Sequence, residues 1–261
     1  MRRPCEAMAD LRGAEAKLAK TPTWMMDAEL AVRVMQLQRD GFVVLPKSVP
    51  DQLCEELEAQ CISQAGDFEG DFEGNRGPSR CSVNASTNVQ APAWWDVLVW
   101  LTEDPTMVSI LSAIAGGSDA WWFDVCGGDV VGPRAPFAPA CYPHTDWAGG
   151  CSGSVGACYS VSIFVHAIDN TMAPMKLVSE SSGQEFIATG VKGQLLIRDV
   201  NTIHYASPND SDKVRVFPAF RFITKVALRL SYQPTPFVPE HVWQKFPQSL
   251  KKRAVFLRLV A

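Results

Sequence analysis

A chain of 261 residues can bury a sizeable core, and β-sandwiches and barrels of this length often form one domain. The hydrophobic share of 47% and the charged share of 20% are ordinary for a soluble globular protein. A net charge of -4 argues against a nucleic-acid-binding surface, which is normally basic. No run of about 18 or more apolar residues is present, so we expect no membrane span, and the first residues lack the apolar core of a secretion signal.

The eight cysteines include no C-x-x-C pair, which disfavours both a disulfide framework and a zinc site. Reduced thiols in a reducing compartment are the simplest interpretation. We therefore expect a cytoplasmic protein that contacts neither nucleic acid nor membrane. The sequence does not choose between a monomer and a homodimer.

The N-terminal part of the chain begins with a segment that lacks a clear pattern. Residues 1–25 show no convincing periodicity beyond a possible short helix at 11–18, so we expect a loosely ordered terminus. Apolar residues at helical spacing then predict a helix over 26–38. Asp40-Gly41 ends this helix, and a short strand is predicted at 42–46.

Two further helical regions follow before residue 118. Asp51 is expected to cap a helix that buries an apolar stripe. A helix in two pieces is predicted over 94–114. Asp104, followed by a proline, is a good cap for the second piece, and Gly116-Gly117 is a good end.

Residues 66–80 form a glycine-rich stretch with a tandem Asp-Phe-Glu-Gly. The order of acidic residues and the final Glu of a calcium loop are missing, so we do not expect calcium there. A mobile lid or a plain surface loop is predicted instead. Arg76 and Arg80 are most simply solvated charges of this loop, and contact with an anionic substrate is the alternative.

The pattern of residue types changes at residue 119, from helical periodicity to short strand-like segments. Short segments rich in β-branched and aromatic residues are predicted to be strands at 121–125, 159–165, 175–178, 194–198 and 217–224. Strands of this length and spacing favour a sandwich or barrel such as a jelly roll. We expect one domain over 26–261, with helices in 26–118, a β core in 119–232 and a tail in 233–261 that closes against the core.

The candidate chemistry centres on His144 and Asp146, which stand two residues apart. In an extended segment such residues point to the same face, which would place an imidazole beside a carboxylate. His204, 58 residues further on, is the candidate third member of a 2-His-1-carboxylate set, which holds non-haem Fe(II) and leaves positions open. Arg215, eleven residues after His204, offers a planar fork for a carboxylate such as the far end of 2-oxoglutarate.

These motifs occur in an order that resembles the phytanoyl-CoA dioxygenase (PhyH) family. Its D-G-[YF]-V-V-L segment resembles Asp40-Gly41-Phe42-Val43-Val44-Leu45, and its approach to H-x-D resembles Gly127–Pro133 followed by His144-Thr145-Asp146. Its N-G-P segment resembles Asn170, Pro174–Val178 and Ser181. Its final segment is similar to Gly193, Arg198-Asp199, His204, Pro208-Asn209, Ser211 and Arg215. The similarity covers about residues 36 to 225, most of the chain.

The resemblance implies a mainly β protein with N-terminal helices and a double-stranded β-helix (jelly roll) core. It implies Fe(II) held by His144, Asp146 and His204 as the catalytic centre, and 2-oxoglutarate bound by Arg215. It implies that O2 and 2-oxoglutarate are converted to succinate and CO2 while a small-molecule metabolite is hydroxylated, with ascorbate as a supporting reductant. Desaturation, epoxidation or cyclisation with the same cofactors is an alternative, and so is a non-catalytic jelly-roll binding protein.

Several positions depart from the family pattern near the co-substrate. Cys141 stands where the family often has a Gln that assists the co-substrate, and Ala206 stands where a small residue, sometimes Ser, is common. Together with Asn170, these two residues are expected to line the cofactor site. Gln194 replaces the Asp of the G-D pair before the last ligand.

Three residues are candidates for contact with the substrate: Trp147, which directly follows H-x-D, Tyr142 and Arg80. The remaining histidines are not expected to bind metal. His166 lies in an apolar run and is predicted to be a satisfied core histidine. His241 lies in the tail and is predicted to face solvent.

Overall fold

The computed structural model describes residues 28–46, 48–66, 68, 73–85, 91–146, 154–230 and 238–254. The predicted terminal segment 1–25, its helix at 11–18 and Trp147 therefore lie outside the described residues. Six cysteines are described, and all six are free and buried.

The helices that precede the β core are α1 (Ala28–Asp40), α2 (Asp51–Ala65), α3 (Pro92–Glu103) and α4 (Pro105–Ala115). These confirm the predicted first helix and the predicted two-part helix. Gly41, with φ of 82°, takes the chain out of α1 in the left-handed conformation that glycine adopts at little cost.

The two predicted helix caps have different outcomes. Asp104 caps α4, since its Oδ1 accepts a hydrogen bond of 2.9 Å from the backbone N–H of Met107. Gly116 ends the same helix in the left-handed conformation, as predicted. The expectation that Asp51 caps α2 is wrong, because Pro50 occupies the cap position and makes no side-chain hydrogen bond there. Asp51 is the first helical residue, where its carboxylate still complements the positive end of the helix dipole.

The strands are β1 (Phe42–Leu45), β2 (Glu73–Gly74), β3 (Gly77–Pro78), β4 (Arg80–Asn84), β5 (Trp121–Val131), β6 (Cys158–Ile163), β7 (Met175–Val178), β8 (Glu185–Ala188), β9 (Leu195–Asp199), β10 (His204–Tyr205) and β11 (Arg215–Thr224). A six-stranded antiparallel sheet has the order β1-β9-β6-β11-β5-β4. A smaller sheet has the order β10-β7-β8, and β2 and β3 form a hairpin. The protein is mainly β, with a jelly-roll core behind N-terminal helices, as predicted.

The strand β5 is longer than the predicted segment 121–125 because it continues through Gly127-Gly128. This glycine pair is typical of a break, yet here it permits close approach of the neighbouring strand. A Cβ atom at Gly128 would lie 2.5 Å from the Cα atom of Pro218 in β11, so a side chain does not fit.

The large sheet has one face against the helices and the other facing the smaller sheet. Successive residues of β11 alternate between these faces. Phe220 packs on Trp94 of α3, with ring centroids 5.4 Å apart, while its neighbours Ala219 and Arg221 face a cavity. The helices therefore cover the outer face of the sheet and leave the inner face free to build a site.

The end of the described chain packs back on this helical layer. Short helices α5 (Lys225–Arg229), α6 (Glu240–Trp243) and α7 (Gln248–Arg253) follow the last strand. Leu250 of α7 is fully buried, and the Phe246 ring lies 5.5 Å from that of Trp95.

No single described helix is long and apolar enough to cross a membrane. The helices α3 and α4 meet the length and composition criteria only as a pair, and that pair is bent by 73°.

The predicted loop over 66–80 differs from expectation at its end. Its described part includes the β2–β3 hairpin, and Arg80 is the first residue of β4. Arg80 is 2% exposed, so it is not a solvated loop charge. The Gly-rich composition of the preceding residues hid the start of this buried strand.

Candidate active site

His144 and His204 are brought together by the backbone. Each donates its backbone N–H to the carbonyl of the other, at 3.0 and 2.9 Å, which makes an isolated antiparallel bridge between His144 and the first residue of β10. Directly opposite residues of such a bridge project to the same side. Asp146 lies two residues beyond His144, and its N–H donates to the carbonyl of Val200 at 3.0 Å. The expected pairing of imidazole and carboxylate is therefore present, in an extended segment rather than in a strand.

The three side chains form a compact group of metal-ligand type. One ligand atom from each of His144, Asp146 and His204 lies within 4.8 Å of the other two. This spacing allows one ion to contact all three residues. It is the only group of three or more His, Cys, Asp or Glu residues that meets this criterion in the described part of the chain.

Both imidazoles have the tautomer that metal binding needs. His144 Nδ1 lies 2.8 Å from the carbonyl of Tyr142, and His204 Nδ1 lies 2.9 Å from the carbonyl of Thr202. A carbonyl only accepts hydrogen bonds, so both Nδ1 atoms carry the proton. In the neutral ring this leaves Nε2 with the lone pair, and each ring is oriented by the residue two positions before it.

The carboxylate of Asp146 is shared between two neighbours. Its Oδ2 accepts a hydrogen bond from Arg198 Nη2, and its Oδ1 lies 3.5 Å from His204 Nε2. Burial alone would raise the pKa of Asp146, but the charge of Arg198 and the contact with His204 outweigh it and hold that pKa well below its ordinary value. Asp146 is thus an anion at any pH near neutrality.

His204 is held in its neutral form. It is buried, and burial together with the positive charge of Arg198 lowers its pKa below the ordinary value, against the opposing effect of Asp146. A neutral imidazole is the form that binds a metal ion.

A cavity of about 390 Å³ opens between the two sheets at this group. Alternate residues of β11 line it, namely Arg215, Phe217, Ala219 and Arg221. The rest of its wall is formed by Arg76, Ser82, Val83, Asn84, Val125, Gly127, Gly128, Asp129, Ala140, His144, Asp146, Ser160, Ser162, Met175, Arg198, His204, Tyr205 and Ala206. Four arginines line this wall, and Arg76, Arg198 and Arg221 are each paired with an aspartate.

Arg215 is the cation of this wall that has no carboxylate partner within ion-pairing distance among the described residues. It is 2% exposed, and burial lowers its pKa to about 10, so it remains charged at neutral pH. Asp129 favours this charge, but Asp129 is already paired with Arg76 at 3.1 Å. A buried guanidinium without a partner is costly, which makes this corner a candidate anion site.

Arg80 and Cys141 lie behind this corner and are not part of the cavity wall. Arg80 Nη2 donates to the carbonyl of Ser207 at 2.5 Å and lies 3.7 Å from Cys141 Sγ. Arg80 also opposes Val131 across β4 and β5, as Arg215 does across β11 and β5. Arg80 was a candidate for substrate contact and Cys141 for co-substrate contact. In the structure, Arg80 instead connects the segment before His144 to the segment after His204.

The other predicted site residues have different positions. Ala206 lines the cavity. Asn170 lies in an exposed turn, and Tyr142 is 62% exposed with its ring 5.2 Å from Phe137; neither lines the cavity. For Asn170 and Tyr142, proximity in sequence to family motifs was a poor guide to position.

The two remaining histidines lie outside the ligand group, and His166 is half-buried rather than in the core. His166 donates Nδ1–H to Glu58 at 2.6 Å and accepts the N–H of Val216 at Nε2, at 3.3 Å, so both ring nitrogens are satisfied within the protein. His241 is exposed.

Two arginines of the wall were not predicted. Arg198 and Arg221 both oppose Ser160, from β9 and β11 respectively, and both face the cavity. Arg221 forms a two-pronged ion pair with the buried Asp124, at 2.9 to 3.2 Å. The signal that could have found Arg198 is a cation directly after Leu195-Leu196-Ile197, an apolar run typical of a strand buried on both faces.

Comparison with solved structures finds this fold in non-heme iron enzymes. SnoN, a non-heme alpha ketoglutarate (2-oxoglutarate) dependent epimerase from nogalamycin biosynthesis, is 14% identical over 76% of this chain and 84% of its own, with a TM-score of 0.56. The non-heme alpha ketoglutarate dependent carbocyclase SnoK is 16% identical over 76% and 84%, with a TM-score of 0.58. AviO1 from Streptomyces viridochromogenes Tue57 is 14% identical over 81% of this chain and all of its own, with a TM-score of 0.59.

At these identities the likeness shows a shared fold. No protein-family profile and no curated protein sequence matches the chain. One structure of SnoN holds Fe3+, alpha ketoglutarate and nogalamycin RO.

Proposed function

We propose that this protein is an Fe(II)/2-oxoglutarate-dependent dioxygenase of the PhyH type that acts on a small-molecule metabolite. The observation that carries the proposal is the pairing of two features in one cavity. Two imidazoles, that of His204 held neutral, face an ionised carboxylate, and a buried guanidinium without an ion-pair partner among the described residues lines the same wall. The proposal takes residues 26–261 as one catalytic domain.

The donor set fits iron. Two imidazole nitrogens and one carboxylate oxygen are the ligands of non-haem Fe(II) oxygenases, and this set leaves coordination positions open. His144, Asp146 and His204 would hold the ion. When bound, Fe(II) and 2-oxoglutarate supply the oxidising chemistry, in which O2 is consumed and 2-oxoglutarate becomes succinate and CO2.

The cationic corner fits a dicarboxylate. Arg76, Arg80 and Arg215 face a single carboxylate, Asp129, so this corner carries an excess of two positive charges among the described residues. Arg215 presents a planar fork that can bind a carboxylate through two parallel hydrogen bonds. We propose that it binds the distal carboxylate of 2-oxoglutarate, whose other end would chelate the metal. Ala206, also on the wall, would contact the co-substrate.

The reaction outcome is the finer part of the proposal, and hydroxylation is the first choice. Structures with this fold bear the names of an epimerase, a carbocyclase and a monooxygenase, so the fold alone does not select an outcome. Desaturation, epoxidation and cyclisation are the alternatives with the same cofactors. Product mass distinguishes them, because hydroxylation adds one oxygen atom whereas desaturation removes two hydrogens.

The proposed setting is the cytoplasm, where free thiols such as the six described here stay reduced. The proposed partners are the substrate, O2 and 2-oxoglutarate, with ascorbate as a supporting reductant. Monomer and homodimer are both compatible with the site.

The first test measures the site without knowing the substrate. Metal-free protein is mixed anaerobically with Fe(II) and 2-oxoglutarate, and we expect a weak visible charge-transfer absorption. His144→Ala should lose this absorption, whereas His166→Ala should keep it, because His166 is satisfied elsewhere. Absence of the absorption in folded wild-type protein would count against the proposal.

The second test asks whether the chemistry proceeds. Succinate formation from 2-oxoglutarate, with Fe(II) and ascorbate, is compared between the wild type and the variants Asp146→Ala and Arg215→Ala. Arg134→Ala is the matched control, since Arg134 pairs with Asp212 on the surface. Bound metal with no succinate from the wild type, with any of a library of candidate substrates, would favour the non-catalytic binding protein.

A further inference from the structure

Arg198 is a buried cation whose only hydrogen-bonding partner in the described chain is a candidate metal ligand. Its side chain is 6% exposed, and Nη2 donates to Asp146 Oδ2. Its Nε and Nη1 atoms are buried and have no hydrogen-bonding partner among the described residues. The pair with Asp146 is therefore the main compensation that this guanidinium has for leaving water.

The pairing divides the two oxygens of Asp146. Oδ2 accepts the hydrogen bond from Arg198, while Oδ1 lies 3.5 Å from His204 Nε2, a ring nitrogen of the second histidine of the group. If Oδ2 also turned to a metal ion, the buried guanidinium of Arg198 would lose its one hydrogen-bond acceptor among the described residues. The arrangement therefore opposes binding of a metal by both oxygens.

We propose that Arg198 is a positioning residue that restricts Asp146 to one-oxygen coordination and so keeps one metal position free for other ligands. This inference rests on the proposed metal site and adds a role that the three ligands do not specify. A carboxylate that binds through two oxygens takes up an additional coordination position. An enzyme that must hold a bidentate co-substrate and O2 on the same ion needs that position open.

The chain offers a matched control in Arg221. Arg198 and Arg221 oppose the same residue, Ser160, from strands on either side of β6, and both line the cavity. Both pair with an aspartate, but the partner of Arg221 is Asp124, which is not in the ligand group. Arg221→Met therefore removes the same charge from the same cavity without freeing a ligand oxygen.

The test uses Co²⁺ as the probe, bound to metal-free protein and followed by visible absorption, which reports the coordination of the ion. We expect the Arg198→Met variant to have a changed Co²⁺ spectrum and to bind Co²⁺ at least as tightly as the wild type. The Co²⁺ form of this variant should bind 2-oxoglutarate about tenfold more weakly than the Co²⁺ form of the wild type. Arg221→Met should keep the wild-type spectrum. Arg198→Lys should restore most of the wild-type spectrum, because an ammonium group can still occupy Oδ2.

Two results would overturn the proposal. One is an Arg198→Met protein with the wild-type spectrum and the wild-type affinity for 2-oxoglutarate. The other is weaker Co²⁺ binding by Arg198→Met, which would mean that Arg198 orients the carboxylate of Asp146 but does not restrict it to one-oxygen coordination. If Arg198→Met does not fold, as judged by its melting curve without metal, Arg198→Gln replaces it under the same criteria. Failure of the wild type to bind Co²⁺ would refute the proposed function itself, whereas the variant results concern Arg198 alone.

Discussion

Arg80 and Arg215 lie on opposite sides of Val131, each paired with it in a neighbouring strand, and both guanidiniums are buried. The charge of Arg80 adds to burial in lowering the pKa of Arg215. Two like charges in one buried corner favour a bound anion over an empty site. This relationship leads to the first prediction.

Arg80→Met is expected to weaken 2-oxoglutarate binding by about tenfold, because one of the two buried charges that attract the dicarboxylate is lost. Arg215→Met should abolish detectable binding. The measurement is the rise in melting temperature with added 2-oxoglutarate in the Co²⁺ form, since a ligand at about 100 times its Kd stabilises by about 2.7 kcal/mol. Arg134→Met on the surface is the control, and equal responses from Arg80→Met and wild type would contradict the prediction.

The second prediction concerns the histidine bridge. His204→Ala should abolish Co²⁺ binding, because only two of the three proposed protein ligands, His144 and Asp146, would remain. His166→Ala should bind Co²⁺ normally but lose about 1 to 2 kcal/mol of unfolding free energy, since it removes hydrogen bonds to Glu58 and to the N–H of Val216. Calorimetric titration and urea unfolding provide the two measurements. Loss of metal binding in a folded His166→Ala protein would contradict the assignment of ligands.

The proximity of His144 and Asp146 could be predicted from the sequence because the spacing of this pair is local. Two residues at i and i+2 share a face in any extended segment, so His144 and Asp146 needed no knowledge of the fold. The contact between Asp146 and Arg198 spans 52 residues and depends on how the segment after His144 pairs with the backbone at Val200. That register is set by packing between sheets, which a single sequence does not display.

Glycine-rich composition suggested loops at two places where the structure has strands. Glycines before Arg80 and within β5 are typical of loops, yet Gly74 and Gly128 serve close backbone approach, with an added Cβ at 1.8 and 2.5 Å from neighbouring backbone atoms. At Asn170, a family motif predicted a cofactor contact, but the structure shows an exposed turn. Most strands and helices were therefore more predictable than the contacts of the residues around the candidate site.

The third prediction tests the cap of α4. Asp104→Ala should lower the unfolding free energy by about 1 kcal/mol, because the N–H of Met107 loses its acceptor in a part-buried position. Asp119→Ala is the control, since Asp119 is largely exposed and its ion pair with Lys225, at 3.6 Å, is a surface pair. Urea unfolding at neutral pH measures both variants, and an equal effect from the two would show that the cap has no special role.

The fourth prediction concerns Asp40, which connects the end of α1 to the turn after β7. Its carboxylate accepts hydrogen bonds from Arg39 at 2.6 and 3.1 Å, from Ser181 at 2.6 Å and from Ser179 at 3.0 Å. The hydrogen bonds from Arg39 and then Ser181 hold the pKa of Asp40 well below its ordinary value. Because the folded pKa is depressed, this stabilisation is present above the unfolded pKa, about 3.9, and is lost as the pH falls below it.

Asp40→Asn is therefore expected to lower the unfolding free energy by about 1 to 2 kcal/mol at neutral pH, since a charged acceptor is replaced by a neutral one of the same shape. The difference from wild type should shrink as the pH falls below about 4, where the wild-type carboxylate loses its advantage. Urea unfolding at a series of pH values measures this, with Asp119→Asn as the exposed control. A difference that stays constant down to about pH 3 would mean that shape, and not charge, fixes this junction.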